Sequence, residues 1–62
     1  MNTDRIDIGH AMIRYGGSFV SALGEALLHA DENNTNRIRH TFGDYWIKYR
    51  DIAESDKKGT EG

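Results

Sequence analysis

Cysteine is absent from the 62 residues, so neither a disulfide nor a thiolate metal site can staple the fold. That absence matters at this length, because so short a chain buries only about 60% of the surface its unfolded form exposes. No apolar run approaches the roughly 20 residues of a membrane-spanning helix, and the first residues carry no signal-peptide pattern. The expectation is a small soluble protein with no membrane partner, and lack of cysteine fits the cytoplasm better than secretion. Strong charge of one sign is missing too: the net charge of −2 is too small to name a partner. Aromatic residues are few, six in all, and four of them, including the only tryptophan, crowd into residues 41–50.

Catalytic and metal signatures are also lacking. Asp31-x-Asn33-x-Thr35 opens like a calcium loop, but such a loop needs glycine at its sixth position and glutamate at its twelfth. Asn36 and Phe42 stand there instead, and the calcium reading fails. His10, His29 and His40 lie far apart with no partner at i+4, so zinc would need three loops to converge. Gly16-Gly17 lacks the lysine of a phosphate-binding loop and the strand before it. A nucleophile, a base and an orienting group must meet in a sheltered pocket. Two or three short helices leave little room for one. The chain reads as a non-enzyme with no cofactor and no metal.

What the sequence does contain is helical patterning. Residues 1–11 read as irregular: Thr3 or Asp4 offers a cap, Ile6 and Ile8 alternate like a short strand, and Gly9 weakens either continuation. Met12 stands where a shorter unit could begin, which makes those residues look like an extension. Ser18 follows Gly16-Gly17 as an N-cap candidate, and a helix is expected over residues 18–30; the alternative is a start near residue 10 that runs through the glycines, since Met12 and Gly16 project onto the same arc. Phe19, Val20, Leu23, Ala26, Leu27 and Ala30 fall within an arc of about 120° that should face the core. On its other side Gly17, Ser21, Gly24 and Leu28 form a small-residue face. A second helix could approach closely there, within the fold or across a dimer.

Asp31 is a natural cap for a second helix over residues 32–41, whose apolar stripe is thin. Thr41 and Asp44 resemble a capping box for a third helix over residues 42–54. Phe42, Tyr45, Trp46, Tyr49, Ile52 and Ala53 share its inner face, leaving Ile47 outside. From Ser55 the chain has no apolar residue and reads as a disordered tail over residues 55–62. The expected core is Phe19, Val20, Leu23, Leu27, Ile38, Phe42, Trp46 and Tyr49.

Charge is uneven along the chain. Residues 32–50 hold four basic and two acidic groups, between flanking segments that are each net acidic. Arg37, Arg39 and His40 make a candidate basic patch, and Lys48 and Arg50 interleave with Tyr45, Trp46 and Tyr49. Cations beside stacking rings are the chemistry of single-strand binding, whereas a mildly acidic chain argues against nucleic acid. Trp, Tyr and Arg also anchor protein interfaces. Leu28, Tyr45, Ile47, Lys48, Tyr49 and Arg50 are the candidate protein-contact residues.

Tyr15-Gly16-Gly17, Ala22-Leu23-Gly24-Glu25-Ala26-Leu27, His29-Ala30-Asp31 and Tyr45-Trp46-x-x-Tyr49 resemble small uncharacterised helical proteins encoded by bacteriophages and prophages. The likeness covers about residues 12–50. Such proteins commonly read Phe-Pro-Glu-Tyr-Trp where this chain has Phe42-Gly43-Asp44-Tyr45-Trp46. The resemblance implies a setting in the host cytoplasm and a partner that is a host protein, including components of antiviral defence.

The reading that results is all-α: a small helical hairpin or three-helix domain over residues 1–54, kinked between its second and third helices. Its expected function is non-enzymatic binding to a host protein as a phage-type inhibitor, with homo-oligomerisation a further expectation. The alternative is a small nucleic-acid-binding protein that uses the basic and aromatic second half.

Overall fold

The computed structural model describes residues 4–61, with side chains over residues 4–56. Four α-helices and their turns make up the described residues: α1 (Arg5–Tyr15), α2 (Ser18–Leu28), α3 (Glu32–Thr41) and α4 (Gly43–Glu61). The all-α expectation holds, and the helix the sequence did not reveal is α1.

Asp4 starts α1, its Oδ1 accepting from the Asp7 N–H at 3.2 Å; the Thr3 alternative lies outside the described residues. Ile8, Ala11 and Met12 then fall at i, i+3 and i+4 and are all buried, so residues 5–11 are core helix rather than irregular chain. Gly16, in extended conformation, ends α1, and Gly17 serves as the N-cap of α2 without a side-chain bond. Ser18 is therefore the first helical residue and not the cap expected of it.

α1 and α2 form a tight antiparallel hairpin whose closest approach is a pair of glycines. A Cβ at Gly24 would lie 2.6 Å from the Gly9 carbonyl oxygen, and one at Gly9 would lie 2.7 Å from Leu28 Cδ2. At Gly24 the obstacle is backbone, so only hydrogen fits; at Gly9 it is the end of the Leu28 side chain, with the Gly24 carbonyl oxygen next at 3.0 Å. Gly24 and Leu28 of the small-residue face thus pack within the fold, against α1, whereas Gly17 has nothing within 4 Å of its Cβ position. At the open end of the hairpin Arg5 Nη1 donates to the carbonyls of Leu27 and Leu28, at 3.1 and 3.0 Å. Those carbonyls belong to the last turn of α2, where a cation also meets the favourable end of the helix dipole.

Turning that face to α1 rotates α2 away from the orientation its apolar arc implies. Val20, Gly24 and Leu27 are buried, whereas Phe19, expected in the core, is 58% exposed. α2 also ends two residues earlier than expected, at Leu28.

Asp31 caps α3 as expected, accepting from the Asn34 N–H at 2.8 Å. None of the residues of α3 is buried; Ile38 is only partly so, packed on the edge of the core. One non-helical residue, Phe42 (φ −118°, ψ 48°), separates α3 from α4. Its N–H donates to Ile38 O at 2.8 Å and its carbonyl accepts from the Trp46 N–H at 2.9 Å, so it closes one helix and opens the next. Thr41 stays inside α3. Asp44, not Thr41, bonds the new helix end, its Oδ1 accepting from the Tyr45 N–H at 2.9 Å.

α4 buries Tyr49 and Ala53 against Ile8, Ala11, Met12, Val20 and Leu27, with Leu23, Tyr45, Trp46 and Ile52 at the rim. Full burial of Ile8, Met12 and Leu27 stabilises the fold by about 2 kcal/mol each. α4 reaches from Phe19 on α2 to the end of α1, where Tyr15 Oη donates to Asp56 Oδ2 at 2.9 Å. Arg14 Nη1 lies 3.9 Å from the same carboxylate oxygen. These contacts hold α4 beyond Ser55, where a tail was expected to begin; the helix continues through Glu61, and Gly62 lies outside the described residues.

Candidate functional site

Phe42 is held by backbone bonds on both sides, and this places its ring where the start of α2 meets the start of α4. Phe19, Phe42 and Tyr45 cluster there. Phe19 meets Phe42 edge-on, with centroids 5.9 Å apart and planes at 61°. Phe42 and Tyr45 stack at 6.1 Å and 28°, and Phe19 to Tyr45 is 6.4 Å. Edge-on and offset contacts of this kind contribute about 0.5–1.5 kcal/mol per pair beyond buried area. Phe19 nevertheless keeps most of its ring in solvent, and Phe42 and Tyr45 are half-buried.

The sequence-predicted contact residues do not form one surface. Tyr49 is 4% exposed and belongs to the core, with Lys48 Nζ 5.5 Å from its ring centroid. It cannot serve as a contact residue. Leu28 is half-buried on Gly9 and fills the hairpin interface. Ile47 is 53% exposed on the outer side of α4, and Arg50 beside it lies 3.6 Å from Asp51. Tyr45 faces the other way, into the ring cluster. The expected patch therefore divides between core, hairpin and two opposite sides of α4.

Arg37, Arg39 and His40 are exposed on α3, as the sequence places them. Arg39 Nη2 donates to Asn36 Oδ1 at 3.0 Å, a neutral partner. Among the described residues Arg37, Arg39 and Lys48 meet no acidic side chain. Sequence reasoning missed Phe19 as a surface residue. The signal that could have found it was the small-residue face of the same helix, which competes with the larger arc for burial.

A second depression lies between α1 and α4. Asp7, His10, Ala11, Arg14, Ala53 and Asp56 line a groove of about 140 Å³. Its charges are of both signs, and Asp56 is already engaged by Tyr15 and Arg14. No three His, Asp or Glu side chains among the described residues stand together as a metal-binding group. No helix among them is long and apolar enough to cross a membrane.

Comparison with known proteins leaves these surfaces to speak for themselves: no family model, curated protein or solved structure matches the chain.

Proposed function

We propose that the chain is a non-enzymatic protein-binding module that docks through the Phe19–Phe42–Tyr45 cluster. The observation that carries this reading is Phe19, a phenylalanine with 58% of its surface exposed at the centre of three touching rings. Clustered, rigid aromatic groups lose little conformational entropy when covered, which is why such residues anchor interfaces. Relative to the expectation from sequence, the contact surface moves from the outer side of α4 to the junction of α2, α3 and α4. The likeness to small phage proteins supplies the setting, an inhibitor that occupies a surface on a host protein complex.

Phe19→Ser tests the proposal. The variant gives up two ring contacts of about 0.5–1.5 kcal/mol each, so circular dichroism and a thermal melt first check that it remains folded; the folded variant should then lose capture of the partner in pull-downs from host extract. Equal capture by Phe19→Ser and the wild type would sink the reading.

A further inference from the structure

A single residue keeps α3 and α4 from being one helix. Phe42 sits at ψ 48°, against about −42° in a helix. The backbone bonds on either side of it keep helical spacing, Phe42 N–H to Ile38 O and Trp46 N–H to Phe42 O. Between them the N–H groups of Gly43, Asp44 and Tyr45 do not pair with the carbonyls of Arg39, His40 and Thr41, and the Tyr45 N–H goes to the Asp44 carboxylate instead. Helical torsions at Phe42 would join these groups and fuse α3 and α4 over residues 32–61.

Direction decides what a fused helix does. α3 runs back along α2, from the turn after Leu28 to the contact of Phe42 with Phe19. α4 then crosses the hairpin from Phe19 to Tyr15 and buries Tyr49 and Ala53 on the way. Continued in the line of α3, it would project beyond the start of α2 and leave its own hairpin. α3 has no buried residue to hold the bend. The face then uncovered, Ile8, Ala11, Met12 and Leu27, fits the α4 of a second copy, because α4 is what covers it in the closed chain.

We infer that the α3–α4 junction is a hinge through which two copies of the chain exchange α4, each hairpin taking the helix of the other. The core contacts of α4 recur in the exchanged dimer, and each chain adds the bonds missing at the junction. Against exchange stands the short tether, which holds α4 on its own hairpin at an effective concentration in the millimolar range. The balance therefore turns on protein concentration and on helix propensity at the junction. This inference is independent of the docking reading above.

The full chain is refolded from urea across a concentration series that reaches the millimolar range, and its mass is read by light scattering. A dimer share that grows with concentration is expected. Gly43→Ala puts a better helix former inside the fused helix of each chain and should raise the dimer constant about fivefold or more. Gly43→Pro suits the first residue of α4, but inside a fused helix its ring would meet the Arg39 carbonyl; it should leave only monomer, with helical circular dichroism kept. Exchange itself is read in the double variant Arg14→Cys, Asp56→Cys, which puts the chain's only thiols at two positions that meet across α1 and α4. A short bis-maleimide should join two chains in the dimer fraction and close on one chain in the monomer fraction, as denaturing gels show. Links within single chains in the dimer fraction overturn the inference, as does a dimer that folded Gly43→Pro leaves intact. If Gly43→Pro loses its helices, the cross-link pattern decides. A chain that stays monomeric through the whole series, with Gly43→Ala no different, also overturns it.

Discussion

Gly24→Ala is the most direct probe of the hairpin. In an exposed helix this change stabilises by about 1 kcal/mol, because alanine loses less backbone entropy. Here the new Cβ would stand 2.6 Å from Gly9 O, 2.8 Å from Met12 Cβ and 3.1 Å from Ile13 Cγ1. The first of these is backbone and cannot rotate aside, so α1 and α2 must separate, which strips contacts from the buried Met12 and Leu27. Overpacking of this type costs about 1–3 kcal/mol, and a backbone clash belongs at the upper end. Subtracting the propensity gain leaves a net loss of about 2 kcal/mol. For a domain of this size that lowers Tm by roughly 8–16 °C. Gly43→Ala is the internal control: nothing lies within 4 Å of its Cβ position, so propensity acts alone and Tm should rise by a few degrees. Thermal and urea melts followed at 222 nm read both. A Gly24→Ala protein as stable as the wild type would refute the close-approach argument.

Three further substitutions separate the remaining contacts. Arg5→Met keeps an unbranched side chain but removes both bonds to the α2 carbonyls, and urea melts should show a loss of about 1–2 kcal/mol. Thr35 Oγ1 is buried without a hydrogen-bond partner, so the near-isosteric Thr35→Val should raise stability by about 1 kcal/mol; a loss would show that the hydroxyl is satisfied. Ile47→Asp replaces a side chain that is 53% exposed and should change stability by no more than about 0.5 kcal/mol, with unfolding of the isolated protein the contrary result.

The parts of the fold legible in the sequence were those with local causes. Asp31 and the bounds of α3 follow from capping chemistry within one turn, and the burial of Val20, Leu27 and Tyr49 follows from helical spacing. α1 was hidden because Ile6 and Ile8 mimic alternation and Gly9 counts against any helix. The reason for Gly9 lies fifteen residues on, in the backbone of α2 at Gly24. Arg5 gave no signal, since the carbonyls it serves are 22 and 23 residues away. Phe19 was misplaced because α2 has two faces able to pack, and only the presence of α1 decides between them. That one choice carried the candidate site with it, from the outer side of α4 to the exposed ring cluster.

The glycine crossing of α1 and α2 also bears on the order in which the molecule assembles. Gly9 and Gly24 meet across a short turn, whereas Tyr15 and Asp56 are separated by 41 residues. Loop closure is entropically easier for the nearer pair, and contacts close in sequence speed folding. The hairpin is complete once Leu28 has left the ribosome, so it can form before any of α4 has been made. In stopped-flow refolding, Ile8→Val should then slow folding, while Ala53→Gly should chiefly speed unfolding. The reverse pattern would place α4 in the nucleus. An early hairpin exposes Val20 and Leu27 until α4 arrives, which makes the nascent chain, rather than the finished protein, the state most exposed to aggregation.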